Sequence, residues 1–400
     1  MKFQFVDNRE RYNAKIKVIG IGGAGGNAIN NMIEAKLQGV EFITANTDSQ
    51  DLERSACSSK IQLGGSLTKG LGSGADPEIG RLAAEESIND VRESASEADM
   101  VFITAGMGGG TGTGASPVVA RESRENGALT VAVVTKPFNF EGDKRMNRAL
   151  DGIERLKKEV DTLIVIPNER LKAIGSKKAT FKDLIVRADE VLLHAVKGIS
   201  DLIMSNGFIN LDFADVKKVM EQMGTAIMGT GRASGENRAF EAAKEAVNSP
   251  LLEDISISGA KGLLMNLTGP PDMTMDEIDE ASSYIKGEVD EDADIFWGVV
   301  FDDNMADEVQ ITVIATGIDQ DHYGKVVRLR DVTANEAVDS WTVRQNGESL
   351  DTPTFQRVKE EEETPEEEQE ALNPPKRGFL KKVLFKDNLD FPTFLRAKAD

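Results

Sequence analysis

Three groups of residues have types and spacings that could do chemistry. Gly108, Gly109, Gly110, Thr111, Gly112, Thr113 and Gly114 put five glycines and two threonines into seven residues. Without Cβ atoms the backbone can curl, so successive N–H groups can point at one anion. The two threonines could add hydroxyl donors. No lysine closes the run, so it is not a P-loop of the Gly-Lys-Ser/Thr kind. A plain flexible turn is the bland alternative. Asn210, Asp212 and Asp215 form a second group. Asp212 could cap a helix starting near residue 214 by accepting early backbone N–H bonds, but capping leaves Asp215 unexplained. Glu141 and Arg145 are the third group, four residues apart, which by spacing alone is a local ion pair on a helix.

The surrounding elements must position these residues. An apolar run at 101–107 predicts a buried strand, and residues 115–125 predict a helix broken at Asn126-Gly127. Strand, glycine-rich turn and helix in that order are how α/β proteins hold phosphate. Residues 16–19 predict an earlier strand that enters Gly20 to Gly26, followed by a helix from about 27 to 35. Alone, this is a dinucleotide-type loop, and Asp48 lies where a Rossmann oxidoreductase would keep its ribose-binding acid. The 108–114 run decides against that rival, because a nicotinamide fold needs no second loop of this composition. Residues 61–64 predict a short strand, 66–77 a mobile loop with Gly70, Gly72 and Gly74, and 77–94 one helix with Pro77 in its first turn. Residues 129–135 and 163–168 predict two more strands, with an amphipathic helix at 144–160 between them. Asn168 falls just past a strand end, where open α/β sheets place ligands. Alternating strands and helices predict a parallel sheet.

The run Gly108 to Gly114 resembles the signature of the tubulin-like GTPases, in particular their bacterial cell-division branch. The resemblance extends over about residues 14–318. It implies a self-assembling GTPase that hydrolyses GTP to GDP and phosphate in head-to-tail filaments, which organise the division ring and septum. It carries Gly22, Gly23, Ala24, Gly25, Gly26, Asn27, Asn46, Asp48, Gly108 to Gly114, Pro137, Glu141 and Arg145 over as nucleotide-side residues. Glu141 would meet the ribose and Arg145 the nucleotide. Asn168 and Asp189 would read the guanine edge, since Asp189 can accept from N1–H and the exocyclic amine. The 66–77 loop would lie near the terminal phosphate and the subunit contact. Position 185 departs from the family: Ile185 stands where an aromatic ring, commonly Phe, stacks on the base. An aliphatic face lacks the ring quadrupole, so weaker stacking is expected, without a change of base. Asn210, Asp212 and Asp215 match the family's Asn-x-Asp-x-x-Asp activating loop, which enters the nucleotide site of the next subunit. There two carboxylates can polarise and orient a water. The alternative is a non-hydrolysing filament scaffold or adaptor that keeps the fold.

Composition narrows the classes. A length of 400 residues predicts two domains. A net charge of -21 and a pI of about 4.7 argue against duplex DNA as a partner. Cys57 is the only cysteine, which excludes an intrachain disulfide and fits a reducing cytosol. His194 and His322 stand alone and no metal-ligand cluster is visible, so a divalent ion such as Mg²⁺ would be held through phosphates and water. Residues 1–13 lack the apolar core of a signal peptide, and no stretch is long enough to span a bilayer.

The fold class predicted is α/β: a Rossmann-like GTPase domain with a parallel sheet, a long central helix, then a smaller α+β domain with a mixed sheet and a disordered tail. The divisions are an N-terminal extension at 1–13, a GTP-binding domain at 14–180 and a central helix at 181–206. An activating loop and short helix follow at 207–223, and the α+β domain at 224–318. His194 is expected to be a tolerated histidine on the central helix. Residues 224–231 predict a strand ending in a turn, whose glycines are not expected to form another phosphate loop. A variable linker, acidic then basic, occupies 319–386. It holds eight Glu between 360 and 370, too charged and too poor in apolar anchors to fold alone. The basic stretch 376–386 could touch an anionic membrane or remain a solvated charge run. At 387–400, Asp390-Phe391-Pro392-Thr393-Phe394-Leu395-Arg396 resembles the family's C-terminal peptide, with Phe391 in place of Ile. The resemblance implies a hook for membrane-anchoring and regulatory division proteins.

Overall fold

In a computed structural model the apolar runs of the first half become parallel strands that are covered on both faces, which is why they read as continuous apolar segments. The structure describes residues 14–174, 180–204, 211–221, 224–252 and 257–318. The first half runs β1 (Ile16–Ile21), α1 (Gly22–Glu34), β2 (Val40–Asn46), α2 (Ser49–Arg54), β3 (Ser59–Gln62), α3 (Gly65–Thr68), α4 (Pro77–Glu86), α5 (Ile88–Ala95), β4 (Met100–Gly106), α6 (Thr111–Glu125), β5 (Leu129–Lys136), α7 (Asp143–Lys157), β6 (Thr162–Pro167) and α8 (Asn168–Ile174). The long α9 (Phe181–Met204) and the short α10 (Phe213–Met220) follow. The second half is β7 (Gly224–Ser234), α11 (Arg238–Val247), β8 (Gly262–Gly269), α12 (Met275–Gly287), β9 (Asp294–Phe301) and β10 (Glu308–Thr316).

The ten strands of the described residues lie in one sheet, in the order β3-β2-β1-β4-β5-β6-β7-β10-β8-β9. Neighbours from β3 to β6 are parallel. The start of β7 pairs parallel with β6, while its greater length pairs antiparallel with β10. With β10 antiparallel to β8 and β8 parallel to β9, the second half is a mixed sheet joined to the first through β7. The direction of winding reverses between β1 and β4, the place where open α/β sheets bind ligands beyond the strand carboxyl ends. Both glycine-rich runs of the first half start there.

Alternate residues of the parallel strands feed two cores. Val18, Phe102 and Val131 face α1 and α9, while Ile19, Ile103 and Val134 face α4, α6 and α7. The α9 core reaches on to Leu264 and Ile314, so the central helix is buried against both halves of the sheet. Truncating a side chain such as Leu192 there would cost about 2–5 kcal/mol.

Four expectations are corrected. The segment 77–94 is two helices, because Ser87 breaks it: its hydroxyl accepts from the Gly64 N–H at 3.0 Å and donates to the Gln62 carbonyl at 3.2 Å. The 66–77 loop is tied down rather than loose. Ser49 N–H donates to the Gly70 carbonyl at 3.1 Å, and Gly72 N–H donates to the Thr47 carbonyl at 3.2 Å. Its glycines supply the left-handed backbone that this path requires. Helices α1 and α6 begin at Gly22 and Thr111, so much of each glycine run is the first helical turn. Finally, β7 does not end in a turn at Gly231 but continues to Ser234. Its glycines make room for α11: a Cβ on Gly229 would lie 2.0 Å from the Ala246 carbonyl oxygen, and one on Gly231 2.1 Å from that of Ala242.

Candidate nucleotide-binding site

Two helix N-termini meet at the winding reversal. A Cβ on Gly22 would sit 3.1 Å from the Gly112 nitrogen, so the first turns of α1 and α6 abut. Neither helix has a side-chain cap, and neither has an acidic residue in its first turn. Other helices differ: Asp48 caps α2, Asp76 caps α4, and Thr274 with Glu277 forms a capping box on α12. Among the described helices of eight residues or more, only α1 and α6 lack both cap and first-turn acid. Free backbone N–H groups and two positive helix ends point to an anion as the missing partner. Gly109 lies at this mouth, and a Cβ there would meet no protein atom within 4 Å.

The threonine hydroxyls of the run have partners within the protein. The Thr113 hydroxyl accepts from the Gly108 N–H at 2.8 Å, which closes the turn. The Thr111 hydroxyl lies 2.6 Å from that of Thr47 and 3.1 Å from that of Ser73. Both threonines are buried and brace the loop.

The remaining residues border this mouth in several directions. Ala24 packs on Gly106 across α1 and β4, while Asn27 is exposed one turn along α1. The buried Asn46 reaches Asp51 at 3.4 Å and accepts from the Asp48 N–H at 3.3 Å, whereas the Asp48 carboxylate accepts from the Gln50 N–H at 2.9 Å. Arg145 and Pro137 pack against Gly108, whose missing Cβ would fall 2.8 Å and 3.4 Å from them. Glu141 and Arg145 form the ion pair expected from spacing, at 2.8 Å, and Glu141 also accepts from the Phe138 N–H at 2.8 Å.

Asn168 opens α8 directly after β6 and is buried, yet its Oδ1 has no hydrogen-bond partner. A buried acceptor left unpaired is costly. Asp189 is also buried, on α9 one turn beyond the half-buried Ile185. Burial pushes its pKa up to about 6, against a hydrogen bond from Asn31 that pulls it down. Asn31 on α1 escaped the sequence reading, as did Thr47 and Ser73. The placing of Asn31 four residues after Asn27, on the same helix face, was the available signal.

Asp212 and Asp215 lie elsewhere. Asp212 takes the N-cap position of α10, but its side chain caps nothing, and it is exposed; Asp215 is half-buried in the first turn. The end of α10 touches the start of β6, where the Thr162 hydroxyl donates to the Met220 carbonyl. Leu211 N–H donates to the Leu202 carbonyl at 3.3 Å, near the end of α9 that packs over Gly39, just before β2. The acidic pair thus stands at the amino ends of the strands and the glycine runs at the carboxyl ends. From Asp189 to Met204 the helix alone extends about 22 Å. Asn210 lies outside the described residues, as do the linker and tail at 319–400. His194 is half-buried on α9, 3.4 Å from the Gln310 amide, and burial lowers its pKa.

Residues 15–176 match the family model "Tubulin/FtsZ family, GTPase domain", and residues 224–319 match "FtsZ family, C-terminal domain". The chain belongs to the FtsZ family. It is therefore built as a GTPase on the tubulin/FtsZ plan. A cell division protein FtsZ from Rickettsia typhi is 54% identical over 321 residues, covering 80% of this chain and 71% of the relative. One from Bartonella bacilliformis is 55% identical over 306 residues, covering 76% of this chain. The match spans about half, 52%, of that longer relative. Among solved structures, an FtsZ dimer from M. jannaschii superposes with a TM-score of 0.76 at 46% identity, covering 78% of this chain and 91% of that one. CetZ1 from Haloferax volcanii, at 22% identity and a TM-score of 0.66, shares the fold.

Proposed function

We propose that this GTPase assembles head to tail into filaments that organise bacterial cell division, and that it hydrolyses GTP where one copy's acidic loop meets the next copy's glycine-rich mouth. The carrying observation is the separation of Asp212 and Asp215 from the α1 and α6 N-termini, at opposite ends of one sheet. A heterologous contact that stacks one end on the other brings the two half-sites together and propagates as an open filament. The relatives are cell division proteins, and the M. jannaschii FtsZ was solved as a dimer.

In this reading the uncapped turns of α1 and α6 hold the phosphates, with Gly22 to Gly26 and Gly108 to Gly114 letting the backbone come close. Asn27, Asn46, Asp48, Pro137, Glu141 and Arg145 border the nucleotide. The Glu141–Arg145 pair opens or turns so that Glu141 meets the ribose and Arg145 the nucleotide. Asp189 accepts from guanine N1–H and the exocyclic amine, and the unpaired Asn168 Oδ1 takes a further donor. Adenine presents no such pair of adjacent donors. Ile185 covers the base with an aliphatic face. From the neighbouring copy, Asp212 and Asp215, with Asn210, orient the attacking water and accept its proton.

Mg²⁺ fits as an ion carried by the nucleotide, with phosphate oxygens and water as its ligands, since no three His, Cys, Asp or Glu gather to hold a metal among the described residues. When bound it would offset phosphate charge. Among the described residues no helix is long and apolar enough to cross a membrane. We place the chain in the cytoplasm at the division site, tethered through Asp390 to Arg396 to a membrane-anchoring partner.

A mixing experiment tests the interface. Asp212→Ala or Asp215→Ala chains should bind GTP normally and turn it over at least a hundredfold more slowly. Added to unmodified chains, they should depress total hydrolysis, because intact nucleotide sites then face defective loops. Normal turnover by either variant, or strictly additive rates in the mixture, would sink the proposal and favour a non-hydrolysing scaffold or a self-contained site.

A further inference from the structure

Helices α4, α6 and α7 form a second cavity, of about 240 Å³, on the side of the first half. Four cations line it, Arg81, Arg121, Arg155 and Lys158, together with the carboxylates of Glu85 and Glu159. That is a local surplus of positive charge on a chain whose net charge is -21.

The four cations differ in how far their charge is already met. Arg81 is held by Glu78 and Glu85 on its own helix. Arg121 has the Glu122 carboxylate at 3.8 Å, but Glu122 is already bound by Arg92 at 2.8 Å. Arg155 and Lys158 are exposed, and among the described residues neither side chain has an ion pair; nor does that of Glu159. Three cations with charge to spare thus face one free carboxylate. Unpaired cations are ordinary on a flat, solvated surface, whereas here they border a concavity. Its floor adds a polar group of the opposite kind. Pro117 lies inside α6 and has no N–H, so the Thr113 carbonyl goes without its helical donor beside the cavity. The lining therefore asks for negative charge and for one hydrogen-bond donor. The volume falls below the roughly 300–1,000 Å³ of sites for drug-sized ligands, which points to a small one.

The cavity lies behind the turn that closes the mouth. The Thr113 hydroxyl accepts from the Gly108 N–H at 2.8 Å. A Cβ on Gly152 of α7 would fall 2.3 Å from the Thr113 methyl, and one on Gly114 1.9 Å from the Pro77 carbonyl oxygen of α4. Helices α4 and α7 both press on the first turn of α6, so an occupant held between them braces that turn from outside.

We infer that this cavity binds a small phosphate monoester that carries a hydroxyl. Arg121, Arg155 and Lys158 take the phosphate as charge-assisted donors, and the Thr113 carbonyl accepts from the hydroxyl. The site is separate from the nucleotide mouth and does not depend on the reading of that mouth.

The test is calorimetric titration of the full-length chain with glycerol 3-phosphate, at fixed ionic strength and with GDP saturating the mouth. One glycerol 3-phosphate should bind per chain, at least fivefold tighter than inorganic phosphate, and glycerol should not bind. Arg155→Ala and Lys158→Ala should each weaken it about tenfold, the loss of one charge-assisted bond, and leave GDP affinity within twofold. Glu159→Gln should tighten it about threefold by removing the opposing carboxylate. Heats that never saturate would overturn the inference, as would unchanged affinity in both Arg155→Ala and Lys158→Ala. Equal affinity for inorganic phosphate, sulfate and glycerol 3-phosphate would also overturn it, because it would report charge screening alone. Should GDP fail to bind, the nucleotide reading fails, while the Arg155 and Lys158 variants still decide this site.

Discussion

Residues 108–114 and 224–231 are both rich in glycine and threonine, and the fold places them in different settings. In the first, glycines lead into the uncapped N-terminus of α6, and the space beyond Gly109 is open. In the second, Gly229 and Gly231 sit inside a strand, and the space above them is filled by the backbone of α11. The comparison teaches that glycine content alone does not mark a phosphate site. Within 108–114 itself, Gly110, Gly112 and Gly114 are packed as closely as Gly229 and Gly231; what sets the run apart is an uncapped helix with no first-turn acid and the open space beyond Gly109. Where glycine serves packing, the neighbour is already there.

Alanine at each place separates the two uses. Gly109→Ala should leave the fold intact, since its Cβ meets no protein atom. It should weaken GTP by about a hundredfold if it pushes a phosphate off two charge-assisted N–H bonds of about 1.5 kcal/mol each. Gly229→Ala should do the reverse, costing about 1–3 kcal/mol of stability through overpacking against Ala246 while leaving nucleotide affinity unchanged. Paired thermal melts and GTP titrations check both. A Gly109→Ala chain with full affinity would remove the open mouth from the account.

A pH titration sharpens the other side of the site. Asp189 is raised to about 6 by burial, so in the empty site it is half protonated near that pH. Guanine's paired donors need the carboxylate. GTP affinity should therefore hold above pH 6 and fall about tenfold per pH unit below it, as binding comes to release a proton. Asn31→Ala removes the hydrogen bond that lowers this pKa, so the fall should begin at higher pH. A flat profile between pH 7 and 5 would take Asp189 out of the guanine contact. The smallest expected effect is at position 185. Ile185→Phe should tighten GTP about threefold, the low end of what ring stacking contributes. A loss of affinity would mean that the ring has no room on α9.

Much of this was legible in the sequence because the elements are locally marked. Continuous apolar runs gave the parallel strands, and the composition of 108–114 singled out one loop. Helix starts were misplaced because a glycine run looks the same as a loop or as a first turn; only hydrogen bonding distinguishes them. The break at Ser87 depends on Gly64 and Gln62, distant in sequence, and no local pattern announces it. The Thr47–Thr111–Ser73 chain was invisible for the same reason, since its members come from three segments. Asp212 looked like a helix cap by position, and its side chain turns out to cap nothing, which leaves both carboxylates available.

The most direct test of the central claim is steady-state GTP hydrolysis per chain, measured across protein concentration with sedimentation of the same samples. If catalysis needs the acidic loop of a second copy, specific activity should be near zero in dilute solution. It should then rise steeply at the concentration where pelletable polymer first appears, and level off above it. A specific activity that stays constant down to concentrations with no polymer would contradict the account, because each chain would then be cleaving GTP with its own residues.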